Sequence, residues 1–553
     1  MEILDWMVLG LFFLLLAGIL VWVATRKDKT STDYFLAGRD ATWLAIGSSI
    51  FASNIGSEHL VGLAGAGAET GMAMASWEMQ GWIILILGWF FVPLYARSKV
   101  FTMPEFLEKR YNSQSRSFLS VISLISYVLT KVAVTVYAGG VVFKDVFNID
   151  MVSIGGMSID FFWISAIGLV LITGLYTTLG GMKAVLYTSV LQTPILLIGS
   201  IVIVVTGLDM LGGWNEMMSI AGAVKTPQGD ALTSVLRSAA DPDYPWTGVL
   251  LGSAIIGFWY WCTDQYIVQR TLSGRDERES RRGAIFGAYL KLTPVFLFLI
   301  PGMIAFALHQ KGLITLSNSD AAFSTLVKTL LPSGMKGVVV GGILAALMSS
   351  LASLFNSSAM LFTVDFYKKF RPEASEKKLV QVGRIATLAI VILGILWIPV
   401  MRGLGKVLYA YLQDVQSLLA PGIAAVFLLG VLSKKTTPAA GFWGLAFGFF
   451  LGMSRLFLKV FSDFLHPEGW IYRWMVAPNW LHYEIAIFFI ILLSMVFVSI
   501  FTKAADPDKI KGLYFGSASS EQIAYTRKSW TQWDVIASLF VIVFTLGFYI
   551  YFW

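Results

Sequence analysis

Two polar, glycine-containing stretches fall inside hydrophobic segments that are long enough to cross a membrane. The first runs from Ala52 to His59 and the second from Gly257 to Gln265. Lipid offers no hydrogen bonds, so irregular backbone at this depth is tolerated only where it is buried in protein or lines a cavity. Two interrupted segments at corresponding places in two halves of a chain indicate the binding site of a transporter. The pattern therefore predicts a membrane carrier with a central site.

Composition supports a membrane protein and argues against several other classes. The 553 residues are 56% hydrophobic and 14% charged, whereas soluble proteins have about 25% charged residues. The net charge of +7 is explained by basic loops, so no nucleic-acid partner is predicted. Cys262 is the single cysteine, and the sequence has no HExxH, CxxC or P-loop pattern. An enzyme is therefore not predicted.

Hydrophobic segments of sufficient length predict about fourteen transmembrane helices. They lie near 3–25, 43–68, 72–96, 118–143, 159–179, 184–208, 246–270, 284–308, 335–366, 381–401, 406–431, 437–459, 481–502 and 532–552. Most Lys and Arg residues fall in alternate loops, and the positive-inside rule then places both termini on the extracellular or periplasmic side. The first segment is followed directly by Arg26-Lys27-Asp28-Lys29, which is typical of a retained span. A multi-pass protein of the cell membrane (plasma or inner) is predicted.

The positions of the interrupted segments predict the architecture. Counting from each gives two five-helix units, 43–208 and 246–431, and because five is odd the second inserts inverted. This is the LeuT-type 5+5 inverted repeat. An extra helix with a cytoplasmic loop (1–42), an external loop (209–245) and three C-terminal accessory helices (432–553) complete the predicted all-α fold.

Polar side chains in and near the interrupted segments could bind a neutral polyol, which needs hydrogen bonds together with an aromatic face. Asn, Gln, His, Glu and Lys supply the donors and acceptors. The candidates are Asn54, His59, Glu78, Lys291 and Gln413, with Trp77, Tyr260 and Trp261 as aromatic groups. A structural ion pair between helices is the alternative for Glu78 and Lys291. For Lys131 and Asp264, the sequence favours snorkelling and a position near a membrane face, respectively.

A second candidate site would hold an alkali cation. Ser349 and Ser350 are adjacent hydroxyls in a span, and the interruption near Ala52 and Ile55 frees backbone carbonyls. Such carbonyls coordinate Na⁺ in this architecture. The alternative is that the serines bond to backbone or bridge helices.

Short motifs along nearly the whole chain match one transporter family. They are Asp33–Gly38, Ser53–Ser57, Gly62–Gly65, Thr102–Phe106, Tyr176–Gly181, Trp259–Gln265, Gln269-Arg270, Leu290–Leu292, Leu347–Leu351, Phe355–Ser357 and Pro421–Leu428. On these motifs the chain resembles the sodium:solute symporters, and among them the sodium/glucose cotransporters.

The resemblance implies roles for particular residues. A sugar would be bound by Asn54, His59, Glu78, Tyr260, Trp261, Lys291 and Gln413. Leu63 and Trp77 would form an outer lid, and Tyr260 an inner gate. Na⁺ would be held by Ala52, Ile55, Ala346, Ser349 and Ser350.

Three positions depart from the family pattern. Gly257 stands where relatives often have Thr or Asn, which leaves the epimer preference open. Ser189 stands where relatives commonly have an Asp that is associated with a second sodium site, and Ala352 lacks a hydroxyl nearby. One Na⁺ per sugar is therefore expected.

The expected function is Na⁺-coupled symport of a neutral hexose of the glucose or galactose type by alternating access. Two alternatives remain open at this point. One is a Na⁺ symporter for another polyol or organic solute, such as myo-inositol or sialic acid. The other is a sugar-gated sensor or channel that does not accumulate its solute. The sequence predicts no oligomeric state.

Overall fold

The computed structural model describes residues 1–25, 29–56, 58–404 and 408–553. Within these ranges, the side chains of residues 24, 129, 130, 138, 154, 400–404 and 408–414 are not described. The described residues form ten helical runs that are long and apolar enough to cross a membrane, which confirms the polytopic all-α class. Two runs, Glu58–Ser98 and Phe161–Leu211, contain 41 and 51 residues. At about 1.5 Å per residue each is long enough to cross a core of about 30 Å twice. The count of fourteen stays a prediction.

Helices account for nearly all of the regular structure. The α-helices are Ile3–Thr25, Ser31–Leu36, Trp43–Asn54, Ala64–Thr70, Ala75–Glu78, Gly81–Ile86, Val92–Ser98, Met103–Arg110, Ser113–Ser126, Ala133–Phe147, Phe161–Leu211, Trp214–Ala223, Trp246–Phe258, Gln265–Leu272, Glu277–Lys291, Ile300–Gln310, Ala322–Leu330, Met335–Met360, Lys368–Phe370, Glu376–Leu404, Leu408–Leu432, Pro438–Val460, Trp480–Phe501, Ser520–Lys528 and Gln532–Tyr551. Wider π-helical turns occupy Glu58–Leu63, Leu87–Phe91, Tyr127–Val132, Trp259–Thr263, Val295–Leu299, Leu361–Tyr367 and Tyr472–Val476. Short 3₁₀ turns occupy Ala37–Arg39, Gly71–Met74, Ser319–Ala321 and Ser462–Phe464.

The described residues also contain one antiparallel hairpin. Strands Met151–Ile154 and Met157–Asp160 pair with Met151 opposite Asp160. Gly155 and Gly156 form the turn with positive φ at both positions, which is the geometry that suits a two-residue hairpin.

The helix Phe161–Leu211 bends sharply at Gly181, between the two spans predicted there. Gly181 has φ +51° and ψ −142°. A Cβ at this position would lie 2.4 Å from the Tyr34 carbonyl oxygen. Only glycine allows both the backbone conformation and the close approach.

The first predicted interruption is present. The helix Trp43–Asn54 ends at Ile55, whose backbone is extended with φ −79° and ψ 113°. A π-helical turn resumes at Glu58 and continues into Ala64–Thr70. We call the whole of 43–70 the first broken span.

The second interruption lies at the end of the stretch expected from the sequence. The helix Trp246–Phe258 widens into a π-helical turn over Trp259–Thr263. Asp264 is then extended, with φ −75° and ψ 127°, and its side chain caps Gln265–Leu272 by accepting a hydrogen bond from the Tyr266 N–H. We call 246–272 the second broken span.

The broken spans are enclosed by long helices. Met335–Met360 packs along Phe161–Leu211 and also contacts Trp43–Asn54. Glu277–Lys291 packs against Trp43–Asn54, where Gly283 and Gly47 bring the two backbones close together. Small residues permit such close approach between membrane helices.

Candidate functional site

A cavity opens between the two broken spans and receives side chains from their neighbours. Its described lining residues are Asn54, Glu58, His59, Trp77, Glu78, Gln80, Lys131, Val134, Thr135, Ile256, Tyr260, Trp261, Tyr266, Lys291, Ser350, Leu354 and Gln416. The cavity therefore brings together most of the solute-binding residues predicted from the sequence. Gln413 lies on the helix Leu408–Leu432, and its side chain is outside the described part of the chain.

Four of the predicted polar residues form one buried network. The Lys291 Nζ lies 2.6 Å from Glu78 Oε2 and 3.1 Å from Asn54 Oδ1. His59 Nε2 lies 3.4 Å from the same Glu78 oxygen. The Lys291 and Glu78 side chains are 4% and 2% exposed. The ion pair considered for Glu78 and Lys291 thus exists and is also part of the cavity wall.

Aromatic rings form an adjacent wall. The rings of Tyr260 and Trp261 meet edge to face with centroids 4.8 Å apart. Asn54 Nδ2 donates to the Tyr260 hydroxyl at 3.2 Å, and Lys291 Nζ lies 5.3 Å from the Trp261 ring. The cavity therefore combines hydrogen-bonding groups with apolar ring surface, as recognition of a polyol requires.

The predicted lid residues differ in their surroundings. Trp77 lines the cavity and stacks on Trp480 with centroids 5.6 Å apart. Its ring also meets the edge of Tyr244, in the predicted external loop. Leu63 is fully buried on the first broken span and is not among the described residues that line the cavity. The gating roles of Leu63, Trp77 and Tyr260 stay predictions.

A second buried ion pair lies at the interruption of the second broken span. Lys131 Nζ is 2.8 Å from Asp264 Oδ2, and the Tyr127 hydroxyl donates to Asp264 Oδ1. Lys131 Nζ also lies 4.7 Å from the ring centroids of Tyr260 and Tyr266. The expectation that Lys131 snorkels is wrong, because its ammonium is held inside the protein by this pair. Asp264 is likewise buried inside the protein, and its position relative to a membrane face stays a prediction.

The residues predicted to bind Na⁺ lie on two facing segments. Ala52 and Ile55 are at the end of the first helix of the first broken span, and Ala346, Ser349 and Ser350 are on Met335–Met360. All five are buried. The helices Trp43–Asn54 and Met335–Met360 contact each other, and the role of these residues as ligands stays a prediction.

Hydroxyl groups connect these two segments. The Tyr266 hydroxyl donates to the Ser53 carbonyl and lies 3.2 Å from Ser350 Oγ. The Oγ atoms of Ser53 and Ser353 are 2.6 Å apart. On the other side, Ser189 Oγ lies 3.2 Å from Ser349 Oγ, so the helix-bridging role considered for the serines is also observed.

Several cavity residues escaped the sequence reasoning. Gln416 follows Gln413 by three positions and so lies one helical turn further along the same face. Gln80 follows Glu78 by two positions across a bend in the helix. Tyr266 directly follows the stretch Gly257–Gln265, whereas Glu58 lies inside the stretch Ala52–His59 that the sequence singles out. The helical spacing could have identified Gln416, whereas the bend that turns Gln80 inward has no clear sequence signal.

Comparison with known proteins decides the family. The family model described as "Sodium:solute symporter family" matches residues 34–448, about three quarters of the chain. The chain belongs to the sodium:solute symporter family. Na⁺ is therefore the coupling ion, and this symporter is a multi-pass plasma-membrane transporter and not an enzyme.

Two groups of curated relatives resemble this symporter over most of its length. It is 36% identical to the sodium/glucose cotransporter 1 of Oryctolagus cuniculus over 538 residues, which cover 90% of this chain and 79% of that protein. It is 39% identical to the sodium/myo-inositol cotransporter 2 of Homo sapiens over 493 residues, which cover 84% of this chain and 70% of that protein. The named solutes of the relatives thus include a hexose and a cyclic polyol.

Solved structures confirm the fold of the symporter. A Na⁺-coupled sialic acid symporter in a substrate-bound, outward-open state superposes with a TM-score of 0.74 at 20% identity, covering 91% of this chain and 99% of the other. Mhp1, a nucleobase-cation-symport-1 family transporter, gives a TM-score of 0.52 at 13% identity, covering 88% and 99%. The fold is similar to that of LeuT-type symporters.

Proposed function

We propose that this symporter carries a neutral hexose of the glucose or galactose type together with one Na⁺. The observation that carries the proposal is the buried network of Asn54, Glu78 and Lys291 beside the rings of Tyr260 and Trp261. A carboxylate, an amide and an ammonium supply acceptors and donors for several hydroxyls. The aromatic faces match the C–H surface of a pyranose.

A cyclic polyol such as myo-inositol is the second candidate solute. It presents the same hydroxyl chemistry, and relatives of 36–39% identity are named for it. An acidic sugar such as sialic acid fits less well. The carboxylates of Glu58 and Glu78 and the ammonium groups of Lys131 and Lys291 line the cavity, so the lining has no excess of positive charge to hold a further carboxylate. Like charges in a poorly solvated site are unfavourable.

The proposed architecture has fourteen spans with both termini outside. The two inverted units are 43–208 and 246–431, flanked by 1–42, the external loop 209–245 and the accessory helices in 432–553. The bend at Gly181 and the length of the run Glu58–Ser98 support dividing the longest runs into separate passages. An interruption near the start of each unit supports the inverted repeat.

The proposed cycle is alternating access driven by Na⁺. Binding of Na⁺ between Ile55 and Ser350 would hold the first broken span against Met335–Met360 and orient Asn54 and His59 for the solute. One charge moving across 100 mV contributes about 2.3 kcal/mol, and a tenfold Na⁺ gradient adds about 1.4 kcal/mol. Together these sustain a solute gradient of several hundredfold, at about 1.4 kcal/mol per decade. One ion is sufficient.

Uptake by purified protein in proteoliposomes tests the proposed function. An inward Na⁺ gradient should drive accumulation of labelled glucose or galactose above the external concentration, and unlabelled myo-inositol should be compared as a competitor. Accumulation separates a symporter from a sugar-gated channel or sensor, because only coupled transport moves solute uphill. Uptake that never exceeds equilibrium would contradict the proposal.

Ser350→Ala should weaken the Na⁺ dependence of uptake by about tenfold, because it removes one oxygen from a site made of few ligands. The measurement is the Na⁺ concentration for half-maximal uptake at saturating solute. Ser357→Ala is the matched control, since Ser357 is buried on the same helix and donates only to the Ser353 carbonyl. Equal Na⁺ affinity of Ser350→Ala and wild type would show that Ser350 is not a Na⁺ ligand.

The ratio of Na⁺ to solute should be one. Ser189 donates to the Val185 carbonyl and lies beside Ser349, so this position offers a hydroxyl and no carboxylate. Simultaneous flux of labelled Na⁺ and solute, or the reversal potential of the transport current, measures the ratio. Ser189→Asp is the informative variant, because its carboxylate would enter next to Ser349 and is expected to raise the ratio. A wild-type ratio of two would overturn the proposed stoichiometry.

A further inference from the structure

Gln80 connects the third predicted span with the second broken span. It occupies the bend between the helices Ala75–Glu78 and Gly81–Ile86 and is 5% exposed. Its Nε2 donates to the Ser253 carbonyl at 2.8 Å, and its Oε1 accepts from Trp261 Nε1 at 3.0 Å. The amide thus contacts the second broken span at two points, two helical turns apart.

Gly257 lies midway between these two points on the same helix face. A Cβ on Gly257 would lie 2.7 Å from Gln80 Oε1 and 2.5 Å from Ile83 Cδ1. Both distances are shorter than real Cβ contacts allow. The side chain of Gln80 can therefore occupy its position because residue 257 is a glycine.

The amide of Gln80 has hydrogen-bonding capacity beyond these two contacts. A carboxamide carries two N–H donors and two acceptor lone pairs. One donor is used by Ser253 and one lone pair by Trp261. Gln80 is also part of the cavity wall, beside Glu78 and Trp261. The remaining N–H of the amide can donate a hydrogen bond to a solute hydroxyl, and the remaining lone pair of its oxygen can accept one from the same hydroxyl.

We propose that Gln80 and Gly257 form a specificity-determining pair, in which the Gln80 amide fills the space above Gly257, fixes the Trp261 ring and binds one solute hydroxyl. This inference rests on the proposed function, because it names the group that selects among neutral polyols.

A double-mutant cycle tests the pair. Gln80→Ala, Gly257→Ala and the double variant are compared with wild type in Na⁺-driven uptake, with Gly168→Ala as the control, since a Cβ at Gly168 meets no atom within 4 Å. Gly257→Ala should raise KM by about tenfold, because the new methyl displaces the amide. Ile83→Val is added to every member of the cycle, because it removes the Cδ1 atom that a Cβ at residue 257 would also meet. In the Gln80→Ala background the methyl then has room, so the two substitutions should be strongly non-additive. Additive effects on KM would overturn the proposal.

A panel of monodeoxy glucoses separates solute recognition from a purely structural role. Wild type should discriminate against one deoxy position by about tenfold or more, because a site built to bind a hydroxyl rejects the analogue that lacks it. Gln80→Ala should lose discrimination at that position alone, measured as the ratio of kcat/KM values for glucose and each deoxy analogue. Equal discrimination in Gln80→Ala and wild type, or a uniform loss at all positions, would overturn the proposed role.

Thermal unfolding in detergent provides a readout that does not require transport. With Ile83→Val present throughout, Gly257→Ala should lower the unfolding temperature where Gln80 is present and leave it unchanged in the Gln80→Ala background. Equal shifts in both backgrounds would show that residue 257 does not compete with Gln80. Absence of Na⁺-driven uptake of every panel member by wild type would overturn the proposed function, whereas normal wild-type uptake with unaltered selectivity in Gln80→Ala overturns only the specificity pair.

Discussion

Lys291→Met and Glu78→Ala should each reduce Na⁺-driven uptake by about a hundredfold or more, because each leaves an uncompensated charge in the cavity wall. Breaking a buried ion pair by removing one partner typically costs about 3–5 kcal/mol. Lys291 Nζ lies 2.6 Å from Glu78 and 3.1 Å from Asn54, so a substitution at either charged residue also changes the hydrogen bonds of its neighbours. The measurement is initial uptake rate at saturating Na⁺, normalised to protein in the vesicle membrane.

The double variant Glu78→Gln with Lys291→Met distinguishes a structural pair from a solute site. It removes both charges, so folding and membrane insertion should recover. Transport should not recover, because the solute still lacks its donor and acceptor. Lys144→Met is the control: Lys144 Nζ lies 3.0 Å from Asp160 Oδ1, but this pair is partly exposed to solvent, and such pairs contribute little to stability. Wild-type transport by the double variant would assign the pair to structure alone.

Asp264→Ala should be the most destabilising of the single substitutions considered for this symporter. It removes the partner of Lys131, the acceptor of the Tyr127 hydroxyl and the cap of the helix Gln265–Leu272. The loss of a cap costs about 1 kcal/mol, and the unpaired Lys131 adds about 3–5 kcal/mol. The unfolding temperature in detergent and the yield of monodisperse protein report this loss.

Asp264→Asn combined with Lys131→Met is the companion variant. Asparagine caps helices about as well as aspartate, and methionine removes the ammonium that would be left unpaired. The double variant should therefore unfold at a higher temperature than Asp264→Ala. If Asp264→Ala unfolded at the wild-type temperature, the buried pair would not hold the second interruption in place.

The sequence predicted the features that follow from the lack of hydrogen-bonding groups in the hydrocarbon core of the bilayer. Polar backbone in hydrocarbon needs a cavity or buried surroundings, so the interruptions near Ile55 and Asp264 could be located from composition alone. Asn54 and Tyr260, which lie in the same two stretches, were found for the same reason.

The partners of the charged residues could not be predicted in the same way. Lys131 and Asp264 are 133 positions apart, and their contact depends on how two separate helices pack. Gln80 reaches the cavity because the helix bends locally. The role of Gly257 can be recognised only once the side chain that faces it is known. Sequence periodicity describes one helix at a time and carries no information on which helix lies opposite.

The stacking of Trp77 on Trp480 joins the cavity wall to a helix beyond residue 431. If Trp77 is the outer lid, as predicted, its opening would separate these two indoles, and such aromatic pairs contribute about 0.5–1.5 kcal/mol beyond burial. In the proposed alternating-access cycle this contact would couple the C-terminal accessory helices to opening on the outer side alone, so that the barriers to loading and to release would differ.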